Sequence, residues 1–550
     1  MPVPALDPSP PADPPLPGLT ATAAAAAEPE QPLRTDVAAF AGRARRGPVG
    51  VPVRVMDPAA YAAVFGGPVA GLDLPHGVRG FFANGGTALW VIRTEGAGAL
   101  AARAAWPAGV TSPFGPDDCR IDAASPGGWA DGTRVTVRHR PARADRRPEV
   151  LVRVEAPEET PESFGWLPLS ALPGAVGEGS RLIRLVPVPR TGPDGPDGPD
   201  GPDGPDGPDG PPPRSGTHRV TLTGGAPALG GPVDGDALAD AYATAVRTLV
   251  DLPEPALLAL PDLDRSGIAP NRREALVDLL VEGCAAELDR LALLDPPLGA
   301  AVTSDPATAV GRVAAWMEAL RLRHDASRLQ ACAVHWPPLR VLDPSAAGRP
   351  GLRTVPASGH VAGSTARLDR ERGAFATPAN VSLEDVTDLA LVLRPDLEAA
   401  VYASGANLLR CPPGRGPVVW GGRTAVEQAR AEGVGLGWFI AHRRLVHQLV
   451  RAFREVAAPL LFEPDTPGLR LLLVQGLTEV LLGLFEAGAL AGERAAEAFR
   501  VRCDDGLNPP ASRAAGVVVC QVEVAPAAPM EFIAIRLLLR GRDRLEVVEG

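Results

Sequence analysis

The sequence predicts a multidomain α/β protein. Three observations carry that prediction. Between His218 and about residue 343, strand-like runs alternate with amphipathic helical stretches, the pattern of a parallel sheet covered by helices. Between 111 and 190, short alternating runs sit between Pro and Gly turns, which indicates a small all-β domain. From about 386 the chain reads as mostly helical and then closes on two strands.

Taken in order, residues 1–34 hold ten Pro and a run of Ala. They bury too little apolar surface to fold alone and read as an extended arm. The segment 35–110 starts with "TDVAAFAGRARRGP" and "VPVRVM", two short strands with a turn at Arg46-Gly47-Pro48 between them. "PAAYAAVFGG" is a short helix with Asp57 as N-cap before Pro58, ending at Gly66-Gly67. The stretch "GVRGFFANGGTALWVIRT" follows, with an apolar approach, a turn at Asn84-Gly85-Gly86 and a buried-looking strand. Its turn reads as scaffold aiming a core strand.

Residues 111–190 form the β domain through "SPGGWADGTRVTVRHR", "EVLVRVEA" and "SRLIRLVP". A linker, 191–215, contains six Gly-Pro-Asp triplets at 192–209. Gly at every third position is the collagen period. Six triplets are short for a triple helix, and an acidic extended spacer is the simpler reading. A central domain, 216–385, carries strand "HRVTLTGG", helix "GDALADAYATAVRTLVDL", strand "PALLALPDL", a helix over about 271–293, and the strand-like "LQACAVHWPPLRVLDP". In the last domain, 386–550, "LGWFIAHRRLVHQLVRAFREV" puts Phe439, Val446, Val450 and Phe453 on one helical face. "AGVVVCQVEVAP" and "EFIAIRLLLR" are the closing strands.

Composition excludes several function classes. Hydrophobic residues make up 45% and charged residues 22% of 550, so large cores are available, and with aromatics at only 4% these cores are mostly Val, Leu and Ala. A formal charge of −11 argues against nucleic acid as principal partner, since phosphate binding needs a basic face. All 54 basic residues are Arg, which removes a Schiff-base Lys or a P-loop Lys. Six Cys, at 119, 284, 332, 411, 503 and 520, form no CxxC pair and read as buried free thiols in a reducing compartment. The first residues lack a basic stretch followed by an apolar one. The apolar run 469–492 is broken by Arg470, Gln475, Glu479 and Glu486, which fits a buried helix better than a membrane span. Synthesis in the cytoplasm is the expectation.

The chemical candidates are weak. Ser358, His360 and Asp369 lie close in sequence, with Ser364 nearby. A triad needs defined proximity in space, and no GxSxG elbow surrounds either serine. A Gly/Ser-rich turn at a subunit surface is the alternative, and no catalytic residue is assigned. Cys332 and His335 have no second pair to complete a zinc site. His442 and His447 lie five apart, unlike an i, i+4 ligand pair, and Arg443-Arg444 beside them reads as a solvated or interface charge cluster. No cofactor or metal is expected.

Several segments together resemble the contractile tail sheath proteins of phages and related injection systems. The Phe-Phe-x-Asn-Gly-Gly turn feeding a strand that ends near "VIR" is similar to the sheath pattern. "TDVAAFAGRARRGP", "YAAVFGG", "SPGGWADGTRVTV", "LTGGAPALGGPVDG", "LALPDL", "VPASGHVAGSTARLDRERGAFATPAN", "VVWGGRT", "FEPDTPGL", "GALAGERAAEAFRVRCDDGLN" and "VEVAPAAPMEFIAIRL" follow in family order from about 35 to 540. Pro17-Gly18-Leu19 stands where the family usually has a Pro-Gly-Val-Tyr arm motif, without its Tyr. The helix from Leu469 lacks the Trp often found after its first Leu, and the Gly-Pro-Asp insert is not a general family feature.

The resemblance implies a tail-sheath fold. It would have a subtilisin-like α/β central domain without catalysis, a small β-sandwich-like insert and an α+β C-terminal assembly domain. It implies a structural subunit stacked as six-membered rings around an inner tube, with baseplate and terminator or cap proteins as further partners. Arms at both ends would lend strands to neighbours, and contraction would proceed by rigid-body movement without nucleotide. Glu531-Phe532-Ile533-Ala534-Ile535-Arg536 is the candidate for such a strand, with Ile533, Ile535 and Leu537 facing a core. The β domain and Gly-Pro-Asp spacer would project outward, where insertions are tolerated. Alternatives are an accessory sheath paralogue, a hydrolase using Ser358 or Ser364 with His360 and Asp369, and a collagen-like adhesin.

Overall fold

The computed structural model describes residues 34–96, 98–141, 147–189, 216–225, 235–301, 305–345, 351–427, 437–460, 463–464, 466–510 and 518–527, plus the backbones of 535–539 and 545–549. The chain starts with β1 (Ala38–Gly42), β2 (Pro52–Val55), α1 (Pro58–Phe65), α2 (Leu74–Ala83) and β3 (Leu89–Arg93). β1 and β2 do not pair with each other. β3 lies between them, parallel to β1 and antiparallel to β2. Asp57 caps α1 as expected, its carboxylate accepting from the Ala60 N–H at 2.7 Å.

A mainly β unit follows, with one helix where the sequence reads as all-β: β4 (Arg103–Ala105), β5 (Asp118–Ala123), β6 (Arg134–Arg140), β7 (Glu149–Glu155), β8 (Glu162–Pro168), α3 (Leu172–Gly179), β9 (Ile183–Val188) and β10 (Gly216–Thr221). Its sheets run β10-β6-β7-β8 and β4-β5-β9. Val135, Val137, Val150, Val152 and Val154 form a shared core with Ile121, Leu172 and Ile183. β10 pairs with β6, so the strand read as opening the central domain at 216 completes the β unit instead.

The body continues with α4 (Gly235–Asp251), β11 (Leu257–Ala259), α5 (Pro270–Glu287), β12 (Leu291–Leu294), α6 (Pro306–Arg323), α7 (Ala326–Leu329), β13 (Cys332–Trp336), β14 (Leu339–Asp343), β15 (Gly351–Val355), α8 (Ser358–Arg372), β16 (Val381–Ser382), β17 (Asp388–Leu389), α9 (Pro395–Ala403), β18 (Asn407–Arg410) and β19 (Val418–Trp420). One nine-stranded sheet has the order β16-β19-β18-β13-β12-β11-β1-β3-β2. The six strands from β18 to β3 are parallel, and antiparallel strands flank them. Strands buried on both faces must be apolar throughout, and β1, AAFAG, is buried along its length. Its Ala39 and Ala41 face a layer built on α4, α5, α6 and α9, while Ala38 and Phe40 face α2 and α8.

This sheet redraws the sequence boundaries. The segment 35–110 contributes β1, β2 and β3 to it, and the stretch after 386 contributes β18 and β19. The helix expected over 271–293 stops at Glu287, because Leu291–Leu294 is a buried parallel strand. Short apolar runs do not distinguish buried helix from buried strand by period.

The C-terminal unit holds α10 (Ile440–Ala457), α11 (Pro467–Glu486), β20 (Phe499–Arg502), β21 (Gln521–Val524), β22 (Ile535–Leu539) and β23 (Leu545–Glu549). Leu445, Leu449, Leu481, Leu484 and Leu490 form its small core.

Candidate assembly site

The contact between α2 and α8 fixes the body. Added to Gly363, a Cβ would lie 2.2 Å from the Phe81 carbonyl; on Gly359 it would lie 2.5 Å from the Gly77 backbone. Only glycines let these helices cross so closely. The stretch with Ser358, His360, Ser364 and Asp369 is therefore a buried helix, not a surface turn. No triad forms along it. The Ser364 hydroxyl donates to the Val361 carbonyl, and Asp369 pairs with Arg444. Burial holds His360 at about 3, so its imidazole is neutral.

Asn84 ends α2, and no hairpin forms there. Its amide donates to the carbonyls of Gly80 and Glu384 at 2.8 and 3.1 Å, and its oxygen accepts from the Glu384 N–H at 2.8 Å. Gly85 follows at φ +96°, a left-handed residue after a helix end. A Cβ on Gly86 would collide with the Phe81 ring. The apolar approach to the turn is thus α2, and the strand after it is β3.

Cys332 and His335 lie buried on β13, and burial alone lowers His335 to about 3. Among the described residues no group of three or more His, Cys, Asp and Glu could hold a metal. Cys119, Cys284 and Cys332 are buried as expected, whereas Cys411 is exposed and Cys503 and Cys520 are half-buried.

The main departure from the sequence reading is α10. Phe439, Val446, Val450 and Phe453 are only half-buried. The buried positions include His442, Arg443, Arg444, His447 and Arg451, so the Arg443-Arg444 pair is not a solvated cluster. Arg444 contacts Asp369 of α8 and donates to the Thr35 carbonyl at 2.8 Å. Arg451 donates to the carbonyls of Arg34 at 2.7 Å, Glu254 at 2.8 Å, Pro255 at 2.6 Å and Asp289 at 3.2 Å. Arg454 pairs with Asp289 at 2.9 Å. Arg443 donates to His447 at 2.9 Å, which requires a neutral ring nitrogen there. Burial and four surrounding arginines hold His447 well below its ordinary range. Burial likewise lowers Arg451 to about 10 and raises Asp369 to about 6 against the pull of Arg444.

These bonds give α10 a defined place. Arg444 and Arg451 grip the backbone at Thr35 and Arg34, where the N-terminal segment meets the body. His442 donates to the Ala527 carbonyl at 3.1 Å, where the C-terminal segment leaves it. One helix therefore holds the roots of both terminal segments. Pro17, Gly18, Leu19, Glu531, Phe532, Ile533 and Ala534 lie outside the described residues. So do residues 190–215, which include the Gly-Pro-Asp triplets. Ile535 and Arg536 open β22, which pairs only with β23 among the described residues, Ile535 opposite Glu549 and Arg536 opposite Val548.

The helix α11 is less covered than a core helix. Leu469, Leu477, Leu481 and Leu484 are buried, while Leu471 and Leu472 are 57% and 54% exposed. It is the one described helix long and apolar enough to cross a membrane. The reading of this run as a buried helix holds for only part of its surface.

No protein-family model matches the chain. A tail sheath protein of Vibrio phage KVP40 is 28% identical over 194 residues, 35% of this chain and 27% of that relative, so the match spans about a quarter of the relative's length. The contracted helical sheath of the anti-feeding prophage superposes with a TM-score of 0.51 at 20% identity, covering 96% of this chain and 99% of that one. A sheath tail protein from Listeria innocua superposes with a TM-score of 0.55 at 11% identity, covering 86% and 89%. The chain has the mixed α/β, multi-sheet fold of contractile sheath proteins and is similar in sequence to one tail sheath protein.

Proposed function

We propose that this chain is the structural subunit of a contractile tail sheath, polymerising as stacked six-membered rings around an inner tube and driving that tube through a target envelope on contraction. The fold likeness over 96% of the chain to a contracted helical sheath carries the reading. The terminal segments support it. Two five-residue strands form a hairpin with no third strand among the described residues, and an isolated hairpin is marginal in water. In a head-to-tail array, a neighbour's strand completes such a sheet. The segment around Pro17-Gly18-Leu19 and the strand Glu531–Arg536 are the exchanged elements of this proposal. Asn84, Gly85 and Gly86 are scaffold, joining α2 to β3.

The partners in this reading are further copies of the chain, an inner tube protein, and baseplate and terminator proteins. The part of α11 that carries Leu471 and Leu472 is covered by one of them. The stroke is a rigid-body rearrangement, and it uses no bound nucleotide or metal. The test is negative-stain electron microscopy of the protein alone and co-expressed with an inner tube protein. Striated hollow tubes with six-fold end views are expected. Monodisperse monomers under both conditions would overturn the proposal.

A further inference from the structure

Cys503 and Cys520 are two half-buried free thiols at the adjoining ends of β20 and β21. β20 and β21 pair antiparallel with Phe499 opposite Val524 and Arg502 opposite Gln521. The same register carries Cys503 directly opposite Cys520. Facing residues on adjacent antiparallel strands have Cα separations of roughly 4.5–5.5 Å, inside the range a disulfide spans. Their sulfurs are 2.7 Å apart, about 0.7 Å beyond a bonded S–S pair. Both thiols are free and neither is fully buried.

The surroundings hold the pair in place. Asn508, fully buried, donates to the Asp504 and Val519 carbonyls at 3.0 and 2.9 Å and accepts from the Val519 N–H at 2.6 Å. These bonds tie together the two segments that carry the cysteines. Arg470 of α11 pairs with Asp505 at 2.9 Å. Buried Cys284 and Cys332 have no such access to an oxidant.

We propose that Cys503 and Cys520 are a reversible disulfide site that staples β20 to β21. The pair is reduced where the chain is made and oxidised once it meets a disulfide or peroxide oxidant. With glutathione disulfide, one protein thiolate attacks the oxidant, releasing one glutathione thiolate and leaving a mixed disulfide. The second protein thiolate displaces the other glutathione, forming the Sγ–Sγ bond. The balance is two protein thiols and one glutathione disulfide to one protein disulfide and two glutathione thiols. Burial and the neighbouring Cys503 sulfur raise Cys520 to about 12, so oxidation quickens as the medium becomes alkaline. This inference rests on the local geometry and stands whether or not the chain is a sheath subunit.

The test uses the full chain. Reduced protein is equilibrated with glutathione buffers from fully reducing to fully oxidising, quenched with an alkylating agent, and digested at arginine without reductant. Cleavage after Arg502, Arg513 and Arg536 releases the two cysteines on separate peptides unless they are bonded. The expected result is a disulfide-linked pair joining 503–513 to 514–536 in a chain that stays monomeric on a non-reducing gel, with free thiols falling by two. C503S should abolish the linked pair. Singly alkylated Cys503 and Cys520 at the oxidising end would overturn the proposal, as would linkage of either to another cysteine. Because the decisive measurement is on the unaltered chain, a folding defect in C503S would leave it intact.

Discussion

Replacing Arg444 with Met removes one partner of an ion pair that lies beneath α10. The side chains of Arg444 and Asp369 are 1% and 2% exposed. Breaking a buried pair from one side costs about 3–5 kcal/mol, because the surviving charge keeps its desolvation penalty. The lost bond to the Thr35 carbonyl adds about 1 kcal/mol. The pH dependence gives a sharper signature. In the native protein burial raises Asp369 to about 6. A carboxyl with a raised folded value favours folding when protonated, so its penalty grows as pH climbs from the unfolded value to the folded one. Without Arg444 the folded value moves higher still, and the penalty keeps growing past about 6 at ~1.4 kcal/mol per pH unit. Urea midpoints of wild type and R444M, measured from about pH 5 to about pH 8, should therefore diverge with rising pH. Arg444 is one of the arginines that depress His447, so its loss also alters that titration, but only below the unfolded histidine value of about 6.5; the divergence above about pH 6.5 therefore reports Asp369. D369L in the same chain should recover most of the loss. A cost below about 1 kcal/mol, or one independent of pH, would refute the buried-pair account.

Gly363→Ala should destabilise by about 1–3 kcal/mol through collision with Phe81. Gly311→Ala, on an α6 position with nothing within 4 Å, should stabilise by about 0.5–1 kcal/mol; thermal melts of the two variants should move in opposite directions. Burial depresses His76 to about 4, and His335 and His360 to about 3. Their folded values lie below the unfolded one, so stability is present above about pH 6.5 and falls by up to ~1.4 kcal/mol per histidine per pH unit below it. The raised carboxyls of Asp73, Asp295 and Asp369 act in the opposite sense over the same range, so the histidine contribution is read as a difference: H335Q should lose less stability than wild type between about pH 6.5 and about 4.5, and parallel profiles for the two would contradict this. Truncation after Ala527 should leave the melting of the body unchanged and abolish tube formation, since the described cores contain no residue beyond Val524; electron microscopy and a melting curve check the two halves separately.

The sequence made some strands of the body legible because a central parallel strand advertises itself: β1 and β11 are apolar runs read as strands, whereas β12, equally apolar, is absorbed into the helix expected over 271–293. Asp57 before Pro58 was equally readable, since a cap is local chemistry. α10 was not. Apolar periodicity placed its buried face on Phe439, Val446, Val450 and Phe453, whereas Ile440, Arg444, His447 and Arg451 turn inward. Those four also recur at helical spacing, a signal lost once charge is read as solvent exposure. Their partners, Asp369 and the carbonyls of Arg34, Thr35 and Pro255, lie 75 to 417 residues away and are invisible to local reasoning. The α2–α8 crossing left a fainter trace in Gly77, Gly80, Gly359 and Gly363, small residues at one-turn spacing on two helices. The pairing of β10 with β6 left none, because a strand's partner across a long linker is a property of topology.

The arrangement on α10 bears on how a sheath could contract without coming apart. If each terminal segment were rooted in a different loop, a pull from a neighbour would be absorbed by local bending. Here the root at Arg34–Thr35 and the root at Ala527 are hydrogen-bonded to one eighteen-residue helix. That helix is itself fixed through Asp289 to the connection between α5 and β12, and through Asp369 to α8. In the proposed array, load entering through one exchanged strand reaches the other through a packed helix and not through the body's periphery. Interiors at this density transmit displacement and deform little. The buried arginines are costly to desolvate, yet they suit a load-carrying root. Arg451 binds four carbonyls, and Arg444 binds one carbonyl and one carboxylate, directional bonds that hold the chain in position where an apolar contact would let it slide.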